Sequence, residues 1–276
     1  MKSILYLTDL SYQAKGREYF REDLYITGQL RDSFNVAICH PKDSDVFEDK
    51  ADLIVFRNTG SVIGYKDVYD DFIKRVHEKN LNTFNSFTGK ADMCGKQYMI
   101  DLMTAGFPVT PTVDRLENIS QLGECSRYVI KPKGGADSIG LEFVTKNELL
   151  GRKFDSGEML IQPAVDFLYE VSFYYINNKL IYAMYAPDKN KRWALKRYGP
   201  TSEDISFADS FINWNTIYQG IQRVDACRTR DGRLLLVELE DLNPYLSILD
   251  LDENTRNKFM SELIAALENS ISRKEF

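Results

Sequence analysis

Three carboxylates and an arginine stand at alternate positions near the end of the chain, as Arg223-Val-Asp225 and Glu238-Leu-Glu240, on either side of Asp231-Gly232. Asp-Gly is a strong signal for a two-residue hairpin turn, because a type I′ turn needs positive φ at both central positions. With Arg230 facing Arg233 across that turn, Asp225 falls opposite Glu238 and Arg223 opposite Glu240. Alternation then puts all four on one face and Val224, Ala226, Val237 and Leu239 on the other. Directly opposed carboxylates repel, so a sheet that keeps three together implies a cation between them. A few hard oxygen ligands on a rigid sheet suit Mg²⁺ that also carries substrate phosphates. A solvated polar face is the competing reading, and a bulge at the turn would move the register by one residue.

A second segment supplies the opposite charge. Tyr128-Val-Ile-Lys-Pro-Lys-Gly-Gly-Ala-Asp-Ser-Ile-Gly140 places Lys131 inside an apolar strand, where an unpaired ammonium is costly and an anion is expected beside it. Gly134, Gly135 and Gly140, with Ser138 between them, can turn backbone N–H groups into an anion-binding nest. No Gly-Lys-Ser/Thr opens a helix here, so this is not a Walker loop. The next element is a strand, which also excludes a dinucleotide fingerprint. A glycine-rich loop between two strands reads as a flap that folds over a nucleotide.

Composition narrows the field. The chain has 276 residues, 43% of them hydrophobic, and a formal charge of −6. That is enough for one large domain or two to three small ones, and the mild acidity argues against nucleic acid as an obligate partner. No apolar run approaches the roughly 20 residues of a membrane span. The N-terminus reaches Asp9 too early for a signal peptide, so the expectation is a cytoplasmic protein without a membrane partner. Cys39, Cys94, Cys125 and Cys227 are scattered and fit buried reduced thiols. With only His40 and His77 as histidines, a Ser-His-Asp hydrolase or a histidine-rich metal site is hard to build. Any chemistry must run on carboxylates, cations and positioning.

Strand and helix patterns alternate over the first part of the chain: strand Ile4–Leu7, helix Glu18–Ser33, strands Asn35–Cys39 and Asp52–Phe56, helix Val68–Glu78, strand Thr83–Asn85. This is a small parallel α/β unit with ligand groups expected at strand C-termini, where Arg57 follows the third strand. A helical stretch then runs over Lys90–Ala105, ended by Gly106. Strands are expected at Tyr128–Pro132, Ile139–Val144, Met159–Gln162, Glu170–Ile176 and Lys179–Tyr185, the last two joined at Asn177-Asn178. Asn254–Ile271, with Phe259, Leu263, Leu267 and Ile271 on one face, is a closing amphipathic helix capped by Asn254 or Thr255.

A strand lysine, a glycine flap, a hairpin and then Arg-x-Asp…Glu-x-Glu, in this order, resemble the ATP-grasp superfamily of carboxylate–amine ligases. The likeness is greatest to the glutathione synthetase and ribosomal-protein glutamate ligase group and spans about Asn85 to Ser247. Gly106-Phe-Pro-Val-Thr-Pro-Thr112 is similar to that group's Gly-Ile-Pro-Val-Pro-x-Thr segment. The resemblance implies an α/β (α+β) fold of three parts: a leading α/β domain at 1–86, a small lid subdomain with the flap at 87–160, and a C-terminal subdomain with the metal site at 161–276. It implies ATP as nucleotide, bound by Lys96, Lys131, the flap, Gln162 and Ala164 at an adenine hinge, Glu170 on the ribose, and Lys196 or Arg197 at the γ-phosphate. It implies Mg²⁺, as two ions, or Mn²⁺, at Asp225 and Glu238, completed by Glu240 or Asn243, with strand parity favouring Glu240. Arg223 matches the arginine that steadies the transferred group.

The implied reaction joins an acid to an amine through an acylphosphate, releasing ADP and phosphate. The substrates are expected to be a small acid and amine or a short peptide tail, contacted by Arg57 and Ser247, with Arg17 and Tyr12 as further candidates. Homodimers are common in such groups. Two other readings use the same residues: a kinase that phosphorylates a hydroxyl, and a regulatory protein that binds ATP without turnover.

Overall fold

In the computed structural model, which describes residues 1–14, 17–134, 140–189, 191–192 and 194–274, the first apolar runs form a parallel sheet. β1 (Ser3–Leu7) is followed by the short hairpin β2 (Gln13–Ala14) and β3 (Arg17–Glu18) and by α1 (Phe20–Leu30). Then come β4 (Asn35–Cys39), α2 (Asp45–Glu48), β5 (Leu53–Phe56), α3 (Lys66–Glu78) and β6 (Thr83–Phe84). The order is β4-β1-β5-β6, all parallel. Ile4–Leu7 and Leu53–Phe56 are apolar without alternation and buried throughout, as a sheet covered on both faces requires.

The next unit is built from α4 (Tyr98–Thr104), β7 (Arg127–Pro132), β8 (Glu142–Thr145), α5 (Lys146–Leu150) and β9 (Met159–Pro163), with antiparallel sheet order β8-β7-β9. The single helix expected over Lys90–Ala105 is broken. A short 3₁₀ turn covers Asp92–Cys94, and Gly95 at φ 82° and ψ 166° interrupts the helical path before α4. β8 begins at Glu142, later than expected, and β9 continues to Pro163, past the boundary drawn at 160.

The largest sheet collects β10 (Phe167–Ile176), β11 (Lys179–Ala186), β12 (Lys196–Tyr198), β13 (Ile221–Thr229) and β14 (Leu234–Glu240), antiparallel in the order β12-β11-β10-β13-β14. β12 and the helix α6 (Ser202–Trp214) were not expected from the sequence pattern. α6 carries a capping box between Thr201 and Asp204, a signal that was available. The closing helix α7 (Glu253–Lys274) starts earlier than read, and Asp252, not Asn254 or Thr255, accepts from the Thr255 N–H at 3.0 Å.

α7 turns Phe259, Leu263, Leu267 and Ile271 into a core shared with Tyr174 and Ile176 of β10 and with Ile4, Tyr6 and Val55 of the parallel sheet. The opposite face of the large sheet packs Phe173 and Val224 against Ala208 and Phe211 of α6 and Met99 and Leu102 of α4. Asn85, fully buried at the end of β6, ties the leading unit to β13 and β14. Its Nδ2 donates to the carbonyls of Ile221 (2.8 Å), Asp241 (2.6 Å) and Leu242 (3.1 Å), and its Oδ1 accepts from the Ile221 N–H at 2.8 Å.

All four cysteines are free, but only Cys227 is buried, and Cys94 is exposed, contrary to the expectation of buried thiols. His77 is exposed on α3. Among the described residues no helix is long and apolar enough to cross a membrane.

Candidate active site

The hairpin of β13 and β14 places Arg223 opposite Glu240 and Asp225 opposite Glu238, the expected register, but by a different route. The turn holds three residues, not two. Thr229 pairs with Arg233 through its N–H at 2.9 Å, and the Gly232 N–H returns to the Thr229 carbonyl at 3.0 Å. Arg230 therefore does not face Arg233. A bulge then follows, since Ala226 pairs with Leu236 while Asp225 pairs with Glu238. The extra residue, Val237, is turned toward the site and not into the core as alternation had placed it. Two shifts of one residue cancel, and the carboxylates meet.

Carboxylate oxygens of Asp225, Glu238 and Glu240 lie within 4.8 Å of one another. Arg223 occupies the space between two of them. Its Nε and Nη2 bind Asp225 at 2.9 and 2.7 Å, Nη2 reaches Glu240 at 2.5 Å, and Nη1 donates to the Tyr245 carbonyl at 2.6 Å. The Ser172 hydroxyl donates to Asp225 at 2.6 Å. Burial works against the guanidinium's charge, and the Asp225 and Glu240 carboxylates more than offset it, so the Arg223 pKa lies well above its ordinary value. Burial drives the Glu240 carboxyl well up, with Arg223 opposing and Glu238 adding to the rise. Three convergent hard oxygen donors, one forced toward protonation for want of positive charge, fit a divalent cation such as Mg²⁺.

Lys96 closes the other side. Its ammonium pairs with Glu238 and with Asp92 at 3.0 Å. The left-handed Gly95 lets the chain turn so that the Lys96 N–H meets the Lys133 carbonyl at 2.9 Å, which fastens this loop to the end of β7. Desolvation pushes the Asp92 carboxyl up to about 8 against the pull of Lys96, while Glu238 is held low, because Lys96 outweighs its burial. Asp92 is a site residue that the sequence reading missed. Its spacing of four before Lys96 was the visible sign.

These groups line a cavity of about 650 Å³ between the three sheets. Glu170, Ser172, Tyr174, Arg223, Asp225, Glu238, Glu240, Asn243 and Ser247 reach it, as do Gly134 of the flap and the unexpected Lys133, Lys189 and Arg192. Arg192 Nε binds Glu170 at 2.5 Å. Gly135 and Ser138 lie outside the described residues. Asn243 lines the cavity, with its Nδ2 directed to Thr59 and Gly60 at 3.5 Å.

Several expected contacts are not made. Lys131 sits on β7 opposite Leu160 and does not line the cavity. Among the described residues it forms no ion pair; burial pushes its pKa down, and Glu238 partly restores it. At the hinge, the Gln162 side chain is buried and donates to Thr112 at 2.7 Å, and the Ala164 N–H is spent on the Arg127 carbonyl at 2.9 Å, so neither reaches the cavity. Lys196 lies exposed on the edge strand β12, and Arg197 pairs with Asp252 at 3.7 Å. The strand parity of the β11–β12 pair was invisible without knowing that β12 exists.

Arg57 is 1% exposed and cannot meet a substrate directly. Its Nη2 binds Glu22 at 3.2 Å and the Pro244 carbonyl at 2.8 Å. Glu22 also accepts from Asn58 at 3.0 Å and from the Leu246 N–H at 3.0 Å, and beside it Asp23 accepts from Tyr6 at 2.7 Å and Thr8 at 2.5 Å. Burial pushes the Glu22 carboxyl up to about 7 despite Arg57. This buried cluster holds the Asn243–Ser247 loop, so Arg57 supports the cavity wall from behind. Tyr12 and Arg17 do line the cavity.

No protein-family model matches the chain, and no curated protein sequence matches it either. Solved structures do. D-cycloserine synthetase DcsG is 16% identical, with a TM-score of 0.71 over 95% of this chain and 99% of that one. D-alanine–D-alanine ligase from Bacillus anthracis, complexed with ATP, is 13% identical, with a TM-score of 0.66 over 99% and 98%. The ATP-grasp ligase PsnB, complexed with a phosphomimetic variant of its minimal precursor, Mg and ADP, is 12% identical, with a TM-score of 0.64 over 98% and 99%. The chain thus has the ATP-grasp fold from end to end.

Proposed function

We propose that the protein is an ATP-dependent carboxylate–amine ligase, which activates an acid as its acylphosphate and transfers the acyl group to an amine, releasing ADP and phosphate. The observation that carries this reading is the meeting of Asp225, Glu238 and Glu240 within 4.8 Å in the cavity that also receives Lys96 and Arg223. That solved structures of similar fold include ligases, one with ATP and one with Mg and ADP, supports it. In this reading residues 1–86 face the substrates, 87–160 form the lid and 161–276 carry the metal floor, in a cytoplasmic setting.

Mg²⁺ held by the three carboxylates would neutralise charge on the phosphates during transfer. The chain's own residues do the rest. Lys96 supplies fixed positive charge on the nucleotide side, and Lys133, Lys189 and Arg192 add to it at the cavity wall. With a cation on Asp225 and Glu240, Arg223, which now binds both, would be available to turn its guanidinium to the reacting group. A carboxylate oxygen of the acid then bonds to the γ-phosphorus as the bond to ADP breaks. The amine attacks the acyl carbon next, and phosphate leaves. The flap beginning at Gly134 excludes water from the acylphosphate. None of these steps requires a histidine base.

The test is a screen for ADP and free phosphate over pairs of acids and amines. Equal amounts of both, formed only when acid and amine are present, are expected. Phosphate retained on the product identifies a kinase instead, and ADP formation by Glu238→Gln at the unaltered rate removes the metal floor from the account.

A further inference from the structure

One position beyond the end of β14 stands a carboxylate that the metal floor does not use. Asp241 is 0% exposed and does not line the cavity. Its Oδ1 accepts from the Met93 N–H at 2.8 Å, and its Oδ2 accepts from the Ala91 N–H at 3.0 Å and from Asn215 Nδ2 at 3.0 Å. No cation pairs with it among the described residues. A buried carboxylate held by neutral donors alone is costly, so its presence points to what those donors hold.

Two of them flank Asp92 and open the 3₁₀ turn Asp92–Cys94. The first N–H groups of a helical turn lack internal partners, and Ala91 at the N-cap offers no side-chain acceptor. Asp241 supplies that acceptor from 150 residues further along the chain. A second tie comes from Leu239, whose N–H donates to the Tyr98 hydroxyl at 2.8 Å. Asp92 and Lys96 thus lie between two points fastened to β14, and the Lys96 ammonium is held in register with Glu238 of that strand.

Only an acceptor fits at this place. Asn215 cannot turn over, because its Oδ1 accepts from the Lys90 and Thr216 N–H groups at 2.7 and 2.9 Å and its Nδ2 also donates to Gln222 at 2.8 Å. All three groups facing the Asp241 carboxylate are therefore donors, and an amide there would turn its NH₂ against at least one of them. The packing is equally exacting, since a Cβ on Gly89 would lie 2.1 Å from Asp241 Oδ2.

Resting on the ligase reading, we infer that Asp241 is a positioning residue, which fixes the Lys96 ammonium for the nucleotide phosphates without touching them itself.

Calorimetric titration of the full chain with the β,γ-imido analogue of ATP and Mg²⁺, and with adenosine, tests this in a double-mutant cycle. Lys96→Met is expected to weaken the analogue about a hundred-fold and Asp241→Asn about ten-fold, with adenosine, which has no phosphate, bound as by the parent. In the Lys96→Met background Asp241→Asn is expected to add less than about two-fold, because the group it positions is gone. Gly89→Ala, which displaces the Asp241 carboxylate and leaves its charge, is expected to reproduce the loss seen with Asp241→Asn, and carries the test should Asp241→Asn fail to fold. Losses that multiply in the double variant, equal weakening of adenosine, indifference to Asp241→Asn or to Gly89→Ala, or no binding of the analogue by the parent overturns the inference. Release of ADP from ATP with acid and amine separates it from the ligase reading. A non-additive cycle with no ADP released in any acid–amine pair removes the ligase and keeps the role of Asp241, whereas ADP release with losses that multiply keeps the ligase and removes this inference.

Discussion

Arg223 stands where a cation belongs, and removing it should expose that need. In Arg223→Met the Asp225 and Glu240 carboxylates lose a guanidinium that holds them at 2.7 and 2.5 Å. The three side chains are 14%, 19% and 23% exposed, so water reaches them only in part. Breaking a buried pair costs about 3–5 kcal/mol, and the residual hydration here favours the lower end, about 3 kcal/mol. Protonation of Glu240, whose carboxyl burial already pushes up, absorbs some of that loss. Mg²⁺ at about a hundred times its dissociation constant returns about 2.7 kcal/mol. In the unsubstituted protein Mg²⁺ has to displace the guanidinium first, so the same addition returns less. Urea unfolding of both proteins, with and without Mg²⁺ and in the absence of nucleotide, measures the four stabilities. Equal stabilisation of both proteins by Mg²⁺, or a variant as stable as the parent without it, would refute the placeholder role of Arg223.

The buried Glu22 carboxyl, pushed up to about 7 from an ordinary 4.5, binds a proton that the unfolded chain has already lost. Stability present below about pH 4.5 is therefore lost as pH rises through about 7, roughly 1 kcal/mol of it between pH 6 and pH 8, and the stability gap between the parent and Glu22→Gln should shrink by that amount in urea titrations. Asn85→Ala removes four hydrogen bonds that join the leading unit to β13 and β14, and thermal unfolding should show a loss of about 3 kcal/mol. Lys96→Met should lower ADP formation about a hundred-fold or more while circular dichroism stays that of the parent; an unchanged rate takes Lys96 out of the site.

The leading parallel sheet and the carboxylate hairpin were legible because each rests on a short-range pattern: apolar runs in β1 and β5, and alternation in β13 and β14. The hairpin also shows how such patterns mislead. The turn was misread by one residue, and the bulge at Val237 restored the register, a compensation that only cross-strand packing sets. Positions whose role depends on distant partners were less readable. Arg57 follows a strand end, as a ligand residue would, yet Glu22 and Pro244 draw it inside. Gln162 lies on the expected hinge strand, but Thr112 takes its side chain. Lys196 looked free to reach the phosphates until β12 fixed it at a sheet edge, and Lys189 and Arg192 stand at the cavity instead. Asp92 was hidden by the assumption of one continuous helix, which Gly95 breaks.

The central claim is that this cavity activates a carboxylate by phosphorylating it. Turnover of an acid carrying isotopically heavy oxygen in its carboxylate, with the released phosphate read by phosphorus NMR, tests this most directly. Transfer of one carboxylate oxygen into each phosphate is the expected result. Phosphate released with no heavy oxygen would contradict the account.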